Sequence, residues 1–155
     1  MTRATLTLDL VDAQELPQPM ITLAARVATA VADAAGLRGT AALRICSDAD
    51  MRRLNRQFRD IDQSTDVLAF PPDAVDPGSD PESVGDVALS YARVVRQGQM
   101  HGHGTEREFA YLITHALLHL AGFTHDDPPS YRRMRRVEEE ILASIGMTRD
   151  RIPAA

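Results

Sequence analysis

Leu6, Leu8 and Leu10 alternate with Thr5, Thr7 and Asp9, the period of two that marks a half-buried strand. Pro17-Gln18-Pro19 ends it, and from Met20 to about Ala35 the period changes. There Ile21, Ala24, Val27, Ala28 and Val31 recur at helical spacing, and Gly36 offers a C-terminal stop. Ala41 to Cys46 reads as a second strand, after which Ser47-Asp48-Ala49-Asp50 supplies an N-cap for a helix with Leu54 and Phe58 on one side. Its Arg52, Arg53 and Arg56 fall on the other sides, where a solvated face accounts for them.

Asp66 to Phe70 is a short strand stopped by Pro71-Pro72, and residues 73–84 read as a surface loop rich in Pro, Asp, Ser and Gly. Gly85 to Ser90 resumes as strand, followed by a short helix from Tyr91 to Gln99. His101-Gly102-His103-Gly104 reads as an exposed, flexible linker, in preference to a second metal site. Thr105-Glu106-Arg107-Glu108 matches a capping box, so the next helix is expected from near Glu106 to about Ala121. Phe109, Ile113, Ala116, Leu117 and Leu120 would bury it. A last helix follows Pro128-Pro129-Ser130 and ends at Gly146, with Met134, Val137, Ile141 and Ile145 on one face. Arg132, Arg133, Arg135 and Arg136 crowd its first turns, where they oppose the helix dipole. That hints at an anionic partner, with pairing to neighbouring acids as the plainer account. Alternating strands and helices predict one α/β domain over residues 1–155, with a mixed sheet of about four strands flanked by helices.

Composition changes this picture little. The 155 residues carry a net charge of −5, 44% apolar and 25% charged side chains, ordinary values for a globular protein. The acidity argues against indiscriminate nucleic-acid binding but leaves room for a local basic groove. Cys46 is the single cysteine, which excludes an intrachain disulfide or a thiolate cluster and fits a reducing compartment. No apolar run reaches the roughly 18 residues of a membrane span, and the N-terminus does not read as a secretory signal. The expected location is the cytoplasm, with no membrane partner.

Candidate chemistry gathers at His115-Ala116-Leu117-Leu118-His119-Leu120-Ala121-Gly122-Phe123-Thr124-His125. Positions i and i+4 share a helix face, so His115 and His119 can reach one point. Gly122 lets the chain turn out of the helix, and His125 arrives three residues later. Three imidazoles without thiolate or carboxylate suit zinc best, with nickel, copper or iron as alternatives, and leave one tetrahedral position open for chemistry. The spacing is also that of the metzincin proteases, whose general base is a Glu directly after the first histidine. Here that position is Ala116, and a methyl group cannot take a proton.

The histidine segment, Leu54-Asn55-Arg56-Gln57-Phe58-Arg59, Thr65-Asp66-Val67-Leu68-Ala69-Phe70-Pro71 and Gly85-Asp86-Val87 together resemble the YbeY family of bacterial rRNA-maturation endoribonucleases. The resemblance spans roughly residues 40–146. Ala116 stands where the family usually has Gly, and Thr124 where it usually has Asp, a change that bears on a hydrogen bond orienting a neighbouring ligand. The resemblance implies a single-strand-selective, metal-dependent RNA hydrolase. Its expected roles are small-subunit rRNA 3′-end maturation and ribosome quality control, with the small subunit and associated proteins as partners. It further implies one zinc per chain on His115, His119 and His125, and a catalytic Arg59.

Hydroxide or the RNA 2′-OH could serve as nucleophile, and Asp86, Asp126 and Asp127 are candidate bases. The site is expected in a cleft between the metal helix, the Arg59 region and the strand after Gly85. Two other readings remain: a zinc protease or amidase, which Ala116 counts against, and a non-catalytic, ribosome-associated metal-binding module.

Overall fold

Period-two patterning divides the sheet's two faces between separate apolar clusters. The computed structural model describes residues 5–72 and 81–147. Its four strands are β1 (Leu6–Val11), β2 (Gly39–Cys46), β3 (Val67–Phe70) and β4 (Ser83–Ser90), in the order β1-β2-β4-β3. β1 runs parallel to β2 and β2 to β4, whereas β3 lies antiparallel on the outer edge of β4. Val87 and Leu89 of β4 join the larger core, and Ala88 joins a smaller one with Cys46, Met51, Leu68 and Phe70.

Helix α2 (Asp48–Arg59) seals that smaller cluster. Ser47 caps it as expected, its hydroxyl accepting from the Asp50 N–H, and Phe58 meets Phe70 edge to face with ring centroids 5.0 Å apart. On the opposite face lie α1 (Gln18–Ala35), α3 (Tyr91–His101), α4 (Gly104–Leu120) and α5 (Pro128–Ser144). Helix α4 is the most enclosed. Phe109, Ile113, Leu117 and Leu118 are fully buried against α1, α3, α5 and the sheet, so a helix fixed by core packing carries two of the histidines. None of the helices among the described residues is long and apolar enough to cross a membrane.

The single α/β domain with a four-stranded mixed sheet is as expected, and most strands and helices run a residue or two longer. Residues 83 and 84 belong to β4 rather than to the expected loop, whose residues 73–80 lie outside the described ones. Helix α4 differs in its start. Its N-cap is His103, with no side-chain cap bond, because Glu108 turns inward to His101, His103 and Gln97 instead of back to Thr105. His101 and His103 accordingly form a helix end and a cap, not a flexible linker.

Gly85 lets two parts of the site approach. At its φ of +130° a Cβ would collide with the Phe70 carbonyl oxygen and stand 2.8 Å from Leu120 Cδ2. β3 and the end of α4 therefore meet over a residue without a side chain. Gly85→Ala is expected to cost more than about 2 kcal/mol of stability, from strain and overpacking together. A urea-unfolding midpoint unchanged from wild type would contradict this.

Candidate metal centre

Helix α4 ends in a left-handed turn that also orients a ligand. Gly122, at φ +98°, donates its N–H to the His119 carbonyl at 3.0 Å, and Phe123 N–H reaches back to Leu118 at 2.9 Å. This is the paired bonding of a Schellman motif. The Phe123 carbonyl then faces His119 Nδ1 at 3.0 Å. A carbonyl can only accept, so the His119 proton sits on Nδ1 and Nε2 carries a lone pair.

His115 is oriented in the same sense by another helix. Its Nδ1 donates to Glu138 Oε2 of α5 at 2.6 Å, and Glu138 is 1% exposed. Arg135 lies 3.5 Å from the other Glu138 oxygen and 3.3 Å from Glu139. The two Nε2 atoms are left facing each other 3.2 Å apart. Two lone pairs at that distance repel unless a cation lies between them, and donors on a tetrahedral zinc stand about 3.3 Å apart. His125 completes the group, its ring 5.4 Å from that of His115 and 4.9 Å from that of His119, centre to centre. One ring nitrogen from each of the three lies within 4.8 Å of the others, so the three histidines brought together from the sequence can hold a metal ion.

Burial first, and then the repulsion it would meet from His115 were both rings protonated, holds the His119 imidazole below its ordinary pKa. It is therefore neutral and free to act as a ligand at neutral pH. Tyr111 stands one turn before His115 with its ring 5.8 Å away, and burial followed by the Glu138 charge pushes its phenol up.

A cleft of about 720 Å³ opens over these histidines, lined also by Arg59, Asp66, β3, Tyr111, Ala116, Thr124 and Asp126. Its far wall is β3, not the strand after Gly85 as expected, because β3 occupies the sheet edge and covers β4. Arg59 is the last residue of α2, and it makes no hydrogen bond or ion pair among the described residues. Arg52 and Arg53 are taken up by Asp62 and Asp50 on the solvated face.

Of the three candidate aspartates, Asp127 caps α5 by accepting from the Ser130 N–H, and Asp86 does not line the cleft. Asp126 does line it. Ala116 is buried and offers no base. Thr124 lines the cleft but makes no side-chain hydrogen bond among the described residues.

In α5 the expected anionic-partner arginines are partly committed, Arg135 to Glu138 and Glu139, and Arg133 over the Phe123 ring at 4.6 Å. Two residues of the site escaped the sequence reading. Glu138 falls on the apolar stripe between Met134 and Ile141, where a carboxylate signals a buried partner. Tyr111 precedes His115 by four residues, the same spacing that joined His115 to His119.

Residues 8–146 match the family model for endoribonuclease YbeY. Endoribonuclease YbeY of Chloroflexus aurantiacus is 43% identical over 114 residues, covering 70% of this chain and 74% of that protein. That of Moorella thermoacetica is 39% identical over 134 residues, covering 80% and 85%. The solution structure of TM1509 from Thermotoga maritima shares the fold with a TM-score of 0.58 at 19% identity, over 90% of this chain and 91% of that one. The fold and the histidine group are thus those of an α/β protein equipped to bind a metal. The chain belongs to the YbeY endoribonuclease family, a family of enzymes.

A group that binds its proton more weakly folded than unfolded makes stability rise with pH. The His119 contribution in the metal-free protein is expected to be full above the ordinary imidazole value of 6.5 and to be lost as pH falls below it. Denaturant midpoints measured on either side of that pH check this, and His119→Gln should flatten the decline.

Proposed function

We propose that this protein is a zinc-dependent endoribonuclease selective for single-stranded RNA. It acts in maturation of the small-subunit rRNA 3′ end and in ribosome quality control, in the cytoplasm, with the small subunit and its associated proteins as partners. Its catalytic domain lies within residues 1–155. His115, His119 and His125 hold one zinc ion per chain, and Arg59 is the catalytic residue. The observation that carries this reading is the pair of Nε2 lone pairs converging 3.2 Å apart, in a cleft whose rim holds the guanidinium of Arg59, which has no partner among the described residues. Membership of the YbeY family supports RNA as the substrate.

Zinc held by the three imidazoles supplies Lewis acidity toward water and toward a phosphoryl oxygen. Arg59 binds the phosphate bidentately and offsets the charge that accumulates on its oxygens in the transition state. Glu138 fixes the His115 proton on Nδ1 and so keeps Nε2 turned to the metal. With Ala116 in place of a base, Asp126 is the carboxylate available to move a proton at the cleft. Asp66, the other one lining it among the described residues, already accepts from the Val67 N–H, the Thr65 hydroxyl and Gln97.

Arg59→Ala is expected to lower cleavage of a ribosomal RNA 3′ fragment by about 10²–10³ while zinc content, measured by mass spectrometry, stays at one per chain. Cleavage at the wild-type rate would overturn the role of Arg59. His119→Ala should lose both zinc and cleavage. Glu138→Gln should keep the fold and weaken zinc binding about tenfold or more, read from a competition titration with a chromophoric chelator. Mapping the product ends identifies the nucleophile, since attack by the 2′-OH leaves a 2′,3′-cyclic phosphate and attack by hydroxide does not.

A further inference from the structure

A second constellation of metal-ligating side chains lies where α3 hands over to α4. The two helices come close at Gly98, where a Cβ would stand 2.6 Å from the Gly104 carbonyl carbon. That approach places the last residue of α3, His101, and the cap of α4, His103, over Glu108 in the first turns of α4. His103 Nε2 lies 2.6 Å and His101 Nδ1 3.2 Å from the same oxygen, Glu108 Oε1. One donor atom from each of the three residues lies within 4.8 Å of the others.

The charge balance of this cluster is unusual. Glu108 is 3% exposed, yet among the described residues no arginine forms an ion pair with it. Burial pushes its carboxyl up, but the bonds from His103, His101 and Gln97 outweigh that and keep it below the ordinary carboxylate range. It is thus an anion at neutral pH. Its second oxygen accepts from Gln97 Nε2 at 2.8 Å, and the same amide nitrogen donates to Asp66 at 3.2 Å. Two carboxylates are joined through a neutral amide. A buried anion needs a counter-charge, and a bound cation would provide it.

We propose that His101, His103 and Glu108 form a second metal site, separate from the three-histidine centre, for a divalent first-row transition ion. Two imidazoles and a carboxylate are a donor set that zinc, cobalt, iron and manganese accept, with the remaining positions filled by water. His101, half exposed, lies on the open side through which the ion enters. Donors around a tetrahedral ion stand about 3.3 Å apart. The His101 contact already has that spacing, and the His103 contact opens by about 0.7 Å to admit the ion. The Gln97 bond to the far carboxylate oxygen then orients the ligand. Through Gln97 the site reaches Asp66, which lines the cleft beside Arg59.

The test uses the full chain stripped by chelator and titrated with Co²⁺, with bound metal counted after equilibrium dialysis. Wild type is expected to bind two equivalents. His101→Ala, at an exposed position, should weaken one of them at least tenfold with the circular dichroism spectrum unchanged, and should spare the other. His119→Ala should do the reverse. One equivalent in wild type, insensitive to His101→Ala, overturns the proposal, as do two equivalents that His101→Ala leaves at full affinity. One equivalent that survives His119→Ala and is lost in His101→Ala supports this site and counts instead against zinc at the three-histidine centre.

Discussion

Two ring protons, each fixed on Nδ1, govern the centre. Because the Phe123 carbonyl and the Glu138 carboxylate claim them, His115 and His119 have only lone pairs to offer each other, and the repulsion across 3.2 Å becomes affinity for a cation. Each proton is held by a different part of the fold, one by the turn that ends α4 and the other by a residue of α5 buried in the core. The arrangement is therefore a property of tertiary packing, not of the histidine spacing alone. Truncating Glu138 would also remove one of the two carboxylates that pair with Arg135, leaving it Glu139 alone, so the Glu138 carboxylate orients a ligand and helps balance a charge at once.

The cleft joins two regions of the molecule that are packed independently. His115 and His119 belong to α4, which packs into the larger apolar cluster, and His125 to the turn after it, whereas Arg59 belongs to the end of α2, which seals the smaller cluster on the other face of the sheet. The two come within reach of one substrate only at the β3 edge. There β3 is the edge strand of the sheet, and the chain leaves α2 through Asp60, a non-glycine residue at φ +59°. An arginine with no ion pair among the described residues, kept at the rim of such a cleft in a chain of net charge −5, concentrates positive potential at the cleft mouth.

Much of this was legible in the residues themselves. Alternation in Leu6–Leu10 and the 3.6 period of α1 report local geometry, and the spacing of His115, His119 and His125 reports which side chains converge. What escaped depended on contacts between distant segments. Glu138 lies 23 positions beyond its partner His115, and nothing in its neighbours names that partner. The capping box at Thr105 was locally well formed, yet Glu108 found three tertiary donors, and these outweigh one backbone N–H. The placement of β3 rather than β4 along the cleft followed from strand order, which periodicity does not encode.

The four residues of β3 therefore act as a gauge between the two parts of the cleft. Leu68 and Phe70 point to the α2 side, and Val67 and Ala69 to the side of α4. A slip of one position against β4 would exchange the two sets. Phe70 would leave Phe58, one residue before Arg59, and enter the space beneath the metal helix. Such a register error would leave every ligand and the arginine intact in composition and still pull them out of common reach. Correct pairing of this short strand is thus a condition for having a working centre at all.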